Sequence, residues 1–129
     1  MAHIMIVDDE RDVVTLLKFL LEMDGHRITA AHNGVEALEK LGVEPHQPDA
    51  DIPDLIVLDV MMPVMDGFTL SSRLSQHERT RLVPLVILTA KGEMRSLFSL
   101  STNVATYVDK PFDPKKLREL IAGILAKKQ

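Results

Sequence analysis

The sequence predicts an α/β fold, a doubly wound five-stranded parallel sheet with helices on both faces, and three observations carry that reading. Short apolar runs alternate with segments of helical period five times along the chain. The central run, Leu55-Ile56-Val57-Leu58, has no polar alternation, as expected of a strand covered on both sides. Most of the runs break off directly into a polar residue, followed by a turn and a helix. With 129 residues and no repeat, linker or second-domain signal, residues 1–129 are expected to form one domain with a real core.

His3 to Val7 is the first run, and it stops at Asp8-Asp9-Glu10. From Glu10 to Asp24, Val13, Val14, Leu16, Leu17, Leu20 and Leu21 recur at helical spacing until Gly25 ends the pattern. Arg27 to Ala31 is weakly apolar and suits an edge strand. Asn33, with Glu36 three residues on, starts a helix whose face is Val35, Ala37, Leu38 and Leu41. Gly42 to Ile52 holds two prolines and no periodicity, so it is expected to be a tolerated, mobile surface loop.

The central strand ends at Asp59, because Pro63 and Asp66-Gly67 force a loop and turn beyond it. Phe68 to Gln76 is a helix with Leu70 and Leu74 inward, and the charged His77 to Arg81 is a solvated connection. Val83 to Leu88 is another buried strand, ending in Thr89-Ala90, and Glu93 to Leu100 is a short helix. Ala105 to Val108 is the fifth strand, ending at Asp109-Lys110-Pro111-Phe112. Asn103-Val104 precedes it, and Asn tolerates the left-handed backbone a turn there would need. Asp113 caps the last helix and Pro114 opens it, with Leu117, Leu120, Ile121, Ile124 and Leu125 as its stripe.

Composition removes several functions. A net charge of −4 and a pI near 5.7 give no whole-molecule drive toward nucleic acid or membrane. With no cysteine there is no disulfide or thiolate metal site, which fits a reducing, cytoplasmic setting. The first residues lack a basic region and a long apolar run, and no stretch is long enough to span a bilayer. The five histidines are scattered and carry no metal reading. Without a Gly-rich turn after the first strand, dinucleotide and P-loop readings fail.

The chemistry gathers at the carboxyl ends of the strands, where open parallel sheets bind ligands. Strand one delivers Asp8 and Asp9, strand three Asp59, strand four Thr89 and strand five Lys110. If strands one, three and five are neighbours at the switch point, these groups share one cleft. Crowded carboxylates repel unless a cation joins them, and an all-oxygen set favours Mg²⁺, with Mn²⁺ as a substitute. A carboxylate nucleophile beside a metal, an ammonium and a hydroxyl is equipped to form an aspartyl phosphate.

The Asp-Asp after strand one, the segment Asp59-Val-Met-Met-Pro-Val-Met-Asp-Gly67, Thr89-Ala90 and Lys110-Pro111-Phe112 together resemble a response-regulator receiver domain over the whole chain. The resemblance implies a flavodoxin-like strand order 2-1-3-4-5 and a phosphorylation-activated switch of two-component signalling, not an enzyme acting on separate substrates. It makes Asp59 the phosphoacceptor. Asp8 or Asp9 (chiefly Asp9), Asp59 and the Met61 backbone carbonyl would be the Mg²⁺ ligands, and Thr89 and Lys110 the phosphoryl contacts. Tyr107, three residues before Lys110, would be the switch aromatic, acting with Thr89, and the Lys110–Pro111 peptide would be cis. The implied donor is a sensor histidine kinase or phosphotransfer protein, and the output a surface built from the fourth helix, strand five and the fifth helix. No output domain is visible in the sequence, and no nucleic-acid or membrane contact is expected of this domain.

Two other classes compete. A haloacid-dehalogenase-type phosphatase would need Asp-x-Asp after the first strand; Asp8 is followed by Asp9 and Glu10, and Met61 lies two beyond Asp59. A pseudo-receiver that only binds partners would show a broken acid set, and this set is complete.

Overall fold

The computed structural model describes residues 2–90 and 103–128. In chain order the elements are β1 (His3–Val7), α1 (Arg11–Met23), β2 (Arg27–Ala31), α2 (Gly34–Lys40), β3 (Leu55–Asp59), α3 (Gly67–Gln76), β4 (Leu85–Ala90), β5 (Val104–Lys110) and α4 (Pro114–Lys128). The helix expected over 93 to 100 lies outside the described residues, so α4 is the helix opened by Pro114.

All strand pairs are parallel, in the order β2-β1-β3-β4-β5. β3 is thus central, and its five residues are all buried, as its unbroken apolar run requires. The pleat sends alternate side chains to opposite faces, and each face has its own core. Ile4, Ile6, Leu55, Val57, Val86 and Leu88 pack with Val14, Leu17 and Leu21 of α1 and Leu117 and Ile121 of α4. Met5, Val7, Ile56, Leu58 and Ile87 pack with Ala37, Leu38 and Leu41 behind α2 and Leu70 and Leu74 of α3, with Tyr107 against that layer.

Helix starts follow local chemistry. The Asn33 side chain accepts from the Glu36 N–H at 2.8 Å, and the Glu36 carboxylate accepts from the His32 N–H. Asp66 is the N-cap of α3, accepting from the Thr69 N–H at 2.7 Å. Asp113 accepts from the Lys115 N–H ahead of α4.

Four expectations are corrected. The loop from Gly42 to Ile52 is not a loosely tolerated excursion: it folds as successive turns around the Arg79 guanidinium, which donates to the carbonyls of Leu41 (3.1 Å), Gln47 (3.0 Å) and Ala50. Val43 is buried, and Glu44 pairs with Arg73. The His77–Arg81 connection is not wholly solvated, since Thr80 is fully buried and its hydroxyl donates to the Leu74 carbonyl. Asn103 makes no left-handed turn. It is buried, its amide donates to the Val83 carbonyl at 3.2 Å, and its own carbonyl accepts from the Leu85 N–H. β5 runs on through Asp109 and Lys110, which pair with Thr89 and Ala90, instead of ending at Val108.

Candidate functional site

Asp8 follows the last residue of β1 and Asp59 is the last residue of β3. The β1–β3 register aligns Val7 with Leu58, so the two carboxyl groups leave neighbouring strand ends. Both are buried, because the pleat turns them toward the layer that α1 and α4 cover. Lys110, the last residue of β5, reaches over β4 into the same space. Its Nζ lies 3.2 Å from Asp59 Oδ1, 3.3 Å from Asp8 Oδ2 and 3.4 Å from Glu10 Oε1.

The electrostatics follow from crowding. Burial, and then the charge of Asp8, push the Asp59 carboxyl up to about 6, although Lys110 and the Met61 N–H draw it back. Asp8 is also raised, first by burial, against the pull of the Glu10 N–H (2.9 Å) and Lys110. Burial works against the Lys110 ammonium, but Asp59 and Asp8 outweigh it and its pKa is raised.

Oxygens of Asp8, Glu10 and Asp59 lie within 4.8 Å of one another, the one such group among the described residues. Asp9, which the resemblance makes the chief metal ligand, stands outside this group, and both it and Glu10 are exposed. Glu10, an acid the sequence reading passed over, joins it. Of three consecutive acids only the backbone path decides which carboxylate reaches the buried pair, and no spacing rule could have selected Glu10.

The β3–α3 loop closes tightly over the end of β3. Gly67 is required there: a methyl carbon added to it would stand 2.2 Å from the Asp59 backbone oxygen. Val64, 80% exposed, holds a left-handed backbone with φ 71°. Of the three loop methionines, Met62 is buried, Met65 packs against the second core, and Met61 is exposed. The Lys110–Pro111 peptide is cis, as the resemblance implied.

Thr89 and Tyr107 sit elsewhere. Thr89 is buried, and its hydroxyl donates to Asp109 Oδ1 at 3.1 Å. Alternation puts Thr89, Asp109 and Tyr107 on the face covered by α2 and α3, opposite Asp8, Asp59 and Lys110. Asp109 was not singled out from sequence, because its pairing with Thr89 depends on strand register.

Comparison with known proteins agrees with this geometry. The family described as "Response regulator receiver domain" matches residues 4–122. The alkaline phosphatase synthesis transcriptional regulatory protein PhoP of Bacillus subtilis is 37% identical over 127 residues, covering 98% of this chain and 49% of that protein. The transcriptional regulatory protein CpxR of Escherichia coli is 38% identical over 126 residues, covering 97% of this chain and 50% of that protein. The chain therefore spans about half the length of these curated relatives. The signal receiver domain of a signal transduction histidine kinase from Syntrophus aciditrophicus superposes with a TM-score of 0.84 at 30% identity, covering 98% of this chain and 92% of that one. A buried acid pair at two strand ends, a lysine bridging it from a third and a matching family over nearly the whole chain make this protein a member of the response regulator receiver domain family.

Proposed function

We propose that the chain is the phosphoryl-accepting switch of a two-component system, with Asp59 as the acceptor and a histidine kinase or phosphotransfer protein as the donor. The observation that carries this is the Lys110 ammonium held within 3.4 Å of Asp59, Asp8 and Glu10. An oxygen of Asp59 attacks the phosphorus of a phosphohistidine, the P–N bond breaks as the P–O bond forms, and the imidazole nitrogen keeps the electron pair and takes up a proton. Lys110 balances charge on the acceptor and then on a phosphoryl oxygen, and the Met61 N–H fixes the carboxylate.

The donor set fits a divalent cation: it is all oxygen, and its buried members are raised toward protonation first by burial and then by a neighbouring carboxylate. Mg²⁺ would be held by Asp59, the Asp8-Asp9 turn and the Met61 carbonyl, and would supply charge neutralisation to the transferring phosphoryl group. Asp9 makes no hydrogen bond or ion pair among the described residues, so its carboxylate is uncommitted, whereas Glu10 already pairs with Lys110. Thr89 donates to a phosphoryl oxygen and Tyr107 follows it, in a cytoplasmic domain spanning 1–129 that is an acceptor and not an enzyme on separate substrates. Among the described residues no helix is long and apolar enough to cross a membrane.

The test is labelling with acetyl phosphate and Mg²⁺, followed by intact mass. One acid-labile phosphoryl group is expected on the native protein and none on Asp59→Ala. Equal labelling of both sinks the assignment.

A further inference from the structure

We propose that Asp109 is a positioning residue that holds the Thr89 hydroxyl on the Tyr107 side of the sheet, so that Thr89 engages a phosphoryl group on Asp59 only by giving up that bond. The proposal rests on Asp59 being the acceptor, as argued above.

Three features carry it. Thr89 and Asp109 are register partners across β4 and β5, so their side chains leave the same face, and the hydroxyl donates to Asp109 Oδ1 at 3.1 Å. Asp59 stands on the other face by the alternation of β3, at the strand end beside β4. Thr89 is only 1% exposed, so water is not a ready substitute partner for its hydroxyl.

A threonine hydroxyl has one proton to give. Asp109 and a phosphoryl oxygen are both anionic acceptors, and bonds to charged acceptors are the stronger kind. The two bonds are therefore alternatives on opposite sides of one strand end. With Asp109 in place the unphosphorylated arrangement starts with its donor satisfied, and a phosphoryl group must outbid a carboxylate. Tyr107 lies two residues before Asp109 on the same face, against the second core. Release of Thr89 from Asp109 thus changes the hydrogen bonding beside the very ring that the proposed switch would move. Residues of other types at 109 would leave the hydroxyl less firmly held.

The experiment measures acetyl phosphate labelling rates, with Mg²⁺, for native protein, Asp109→Ala, Thr89→Val and the double variant. Asp109→Ala is expected to be labelled roughly three- to tenfold faster than native. The double variant should match Thr89→Val alone, since Asp109 acts through the hydroxyl. A gain that persists in the Thr89→Val background would mean a through-space charge effect and would overturn the proposal, as would an Asp109→Ala rate equal to or below native. If Asp109→Ala does not fold, Asp109→Asn, which keeps an acceptor oxygen without the charge, serves in both backgrounds with a smaller gain expected. No labelling of native protein would instead overturn Asp59 as acceptor, a distinct failure.

Discussion

Lys110 Nζ and Asp59 Oδ1 are 3.2 Å apart, yet the Asp59 carboxyl is still raised to about 6, so a single ammonium does not offset its burial and the charge of Asp8. The sign of the consequence follows from linkage. A group whose folded pKa lies above its ordinary value of 3.8 stabilises the fold fully below that value, and the contribution is lost as pH rises through about 6. The ionised site therefore costs on the order of 3 kcal/mol at neutral pH. Without divalent ions, Asp59→Asn should be more stable than native by about 1–3 kcal/mol near neutrality, with the gap closing toward about pH 4. Urea unfolding across that range checks it; a gap that widens on acidification would contradict the burial account.

The same repulsion gives a metal signature. Millimolar Mg²⁺ should raise the melting temperature of native protein by a few degrees. Asp9→Ala and Asp59→Asn should each abolish most of the rise, while Glu10→Gln keeps it. A rise lost in Glu10→Gln and retained in Asp9→Ala would assign the third carboxylate to the acid that the folded chain gathers with Asp8 and Asp59.

Val64 offers a stabilising substitution beside the site. A β-branched residue at φ 71° carries about 1–3 kcal/mol of strain, and its exposed side chain gains little from packing. Val64→Asn should raise stability by about 1 kcal/mol, visible as a higher melting temperature with the acid cluster intact.

Arg79 is the tie of the 42–52 loop, with three carbonyl partners. Arg79→Ala strands those acceptors and should cost about 2–3 kcal/mol. Hydrogen exchange should quicken through 42–52 while β3 stays protected. Unchanged protection there would show that Val43 and Glu44 suffice to hold the loop.

What could be foreseen in the sequence was whatever depends on a local pattern. The unbroken run at 55 to 58 announced a central strand, and its abrupt polar end announced Asp59. Asn33, Asp113 and Pro114 announced helix starts by their side-chain chemistry. What escaped depends on partners distant in the chain. The loop after Gly42 is ordered by a guanidinium some thirty residues later, acting on backbone carbonyls that every sequence possesses. Asn103 was credited with a turn conformation, but it serves as a buried cross-link to Val83. Asp109 became visible only when strand register set it against Thr89, and Glu10 only when the turn after β1 brought its carboxylate to Asp8 and Asp59. Gly67 looked like a turn residue, and its requirement is instead the lack of room above Asp59.

The alternation that sends Asp8, Asp59 and Lys110 to one face and Thr89, Asp109 and Tyr107 to the other makes the sheet a wall between them. Five hydrogen-bonded strands leave no passage through their middle, and the interior residues on either side are tightly packed aliphatics that cannot relay a polar event. A hydrogen-bond exchange between the two faces, among the described residues, is shortest at the carboxyl rim, where β3, β4 and β5 end. Among the described residues, the proposed exchange at Thr89 would therefore be made at this rim, where the ends of β3, β4 and β5 lie side by side.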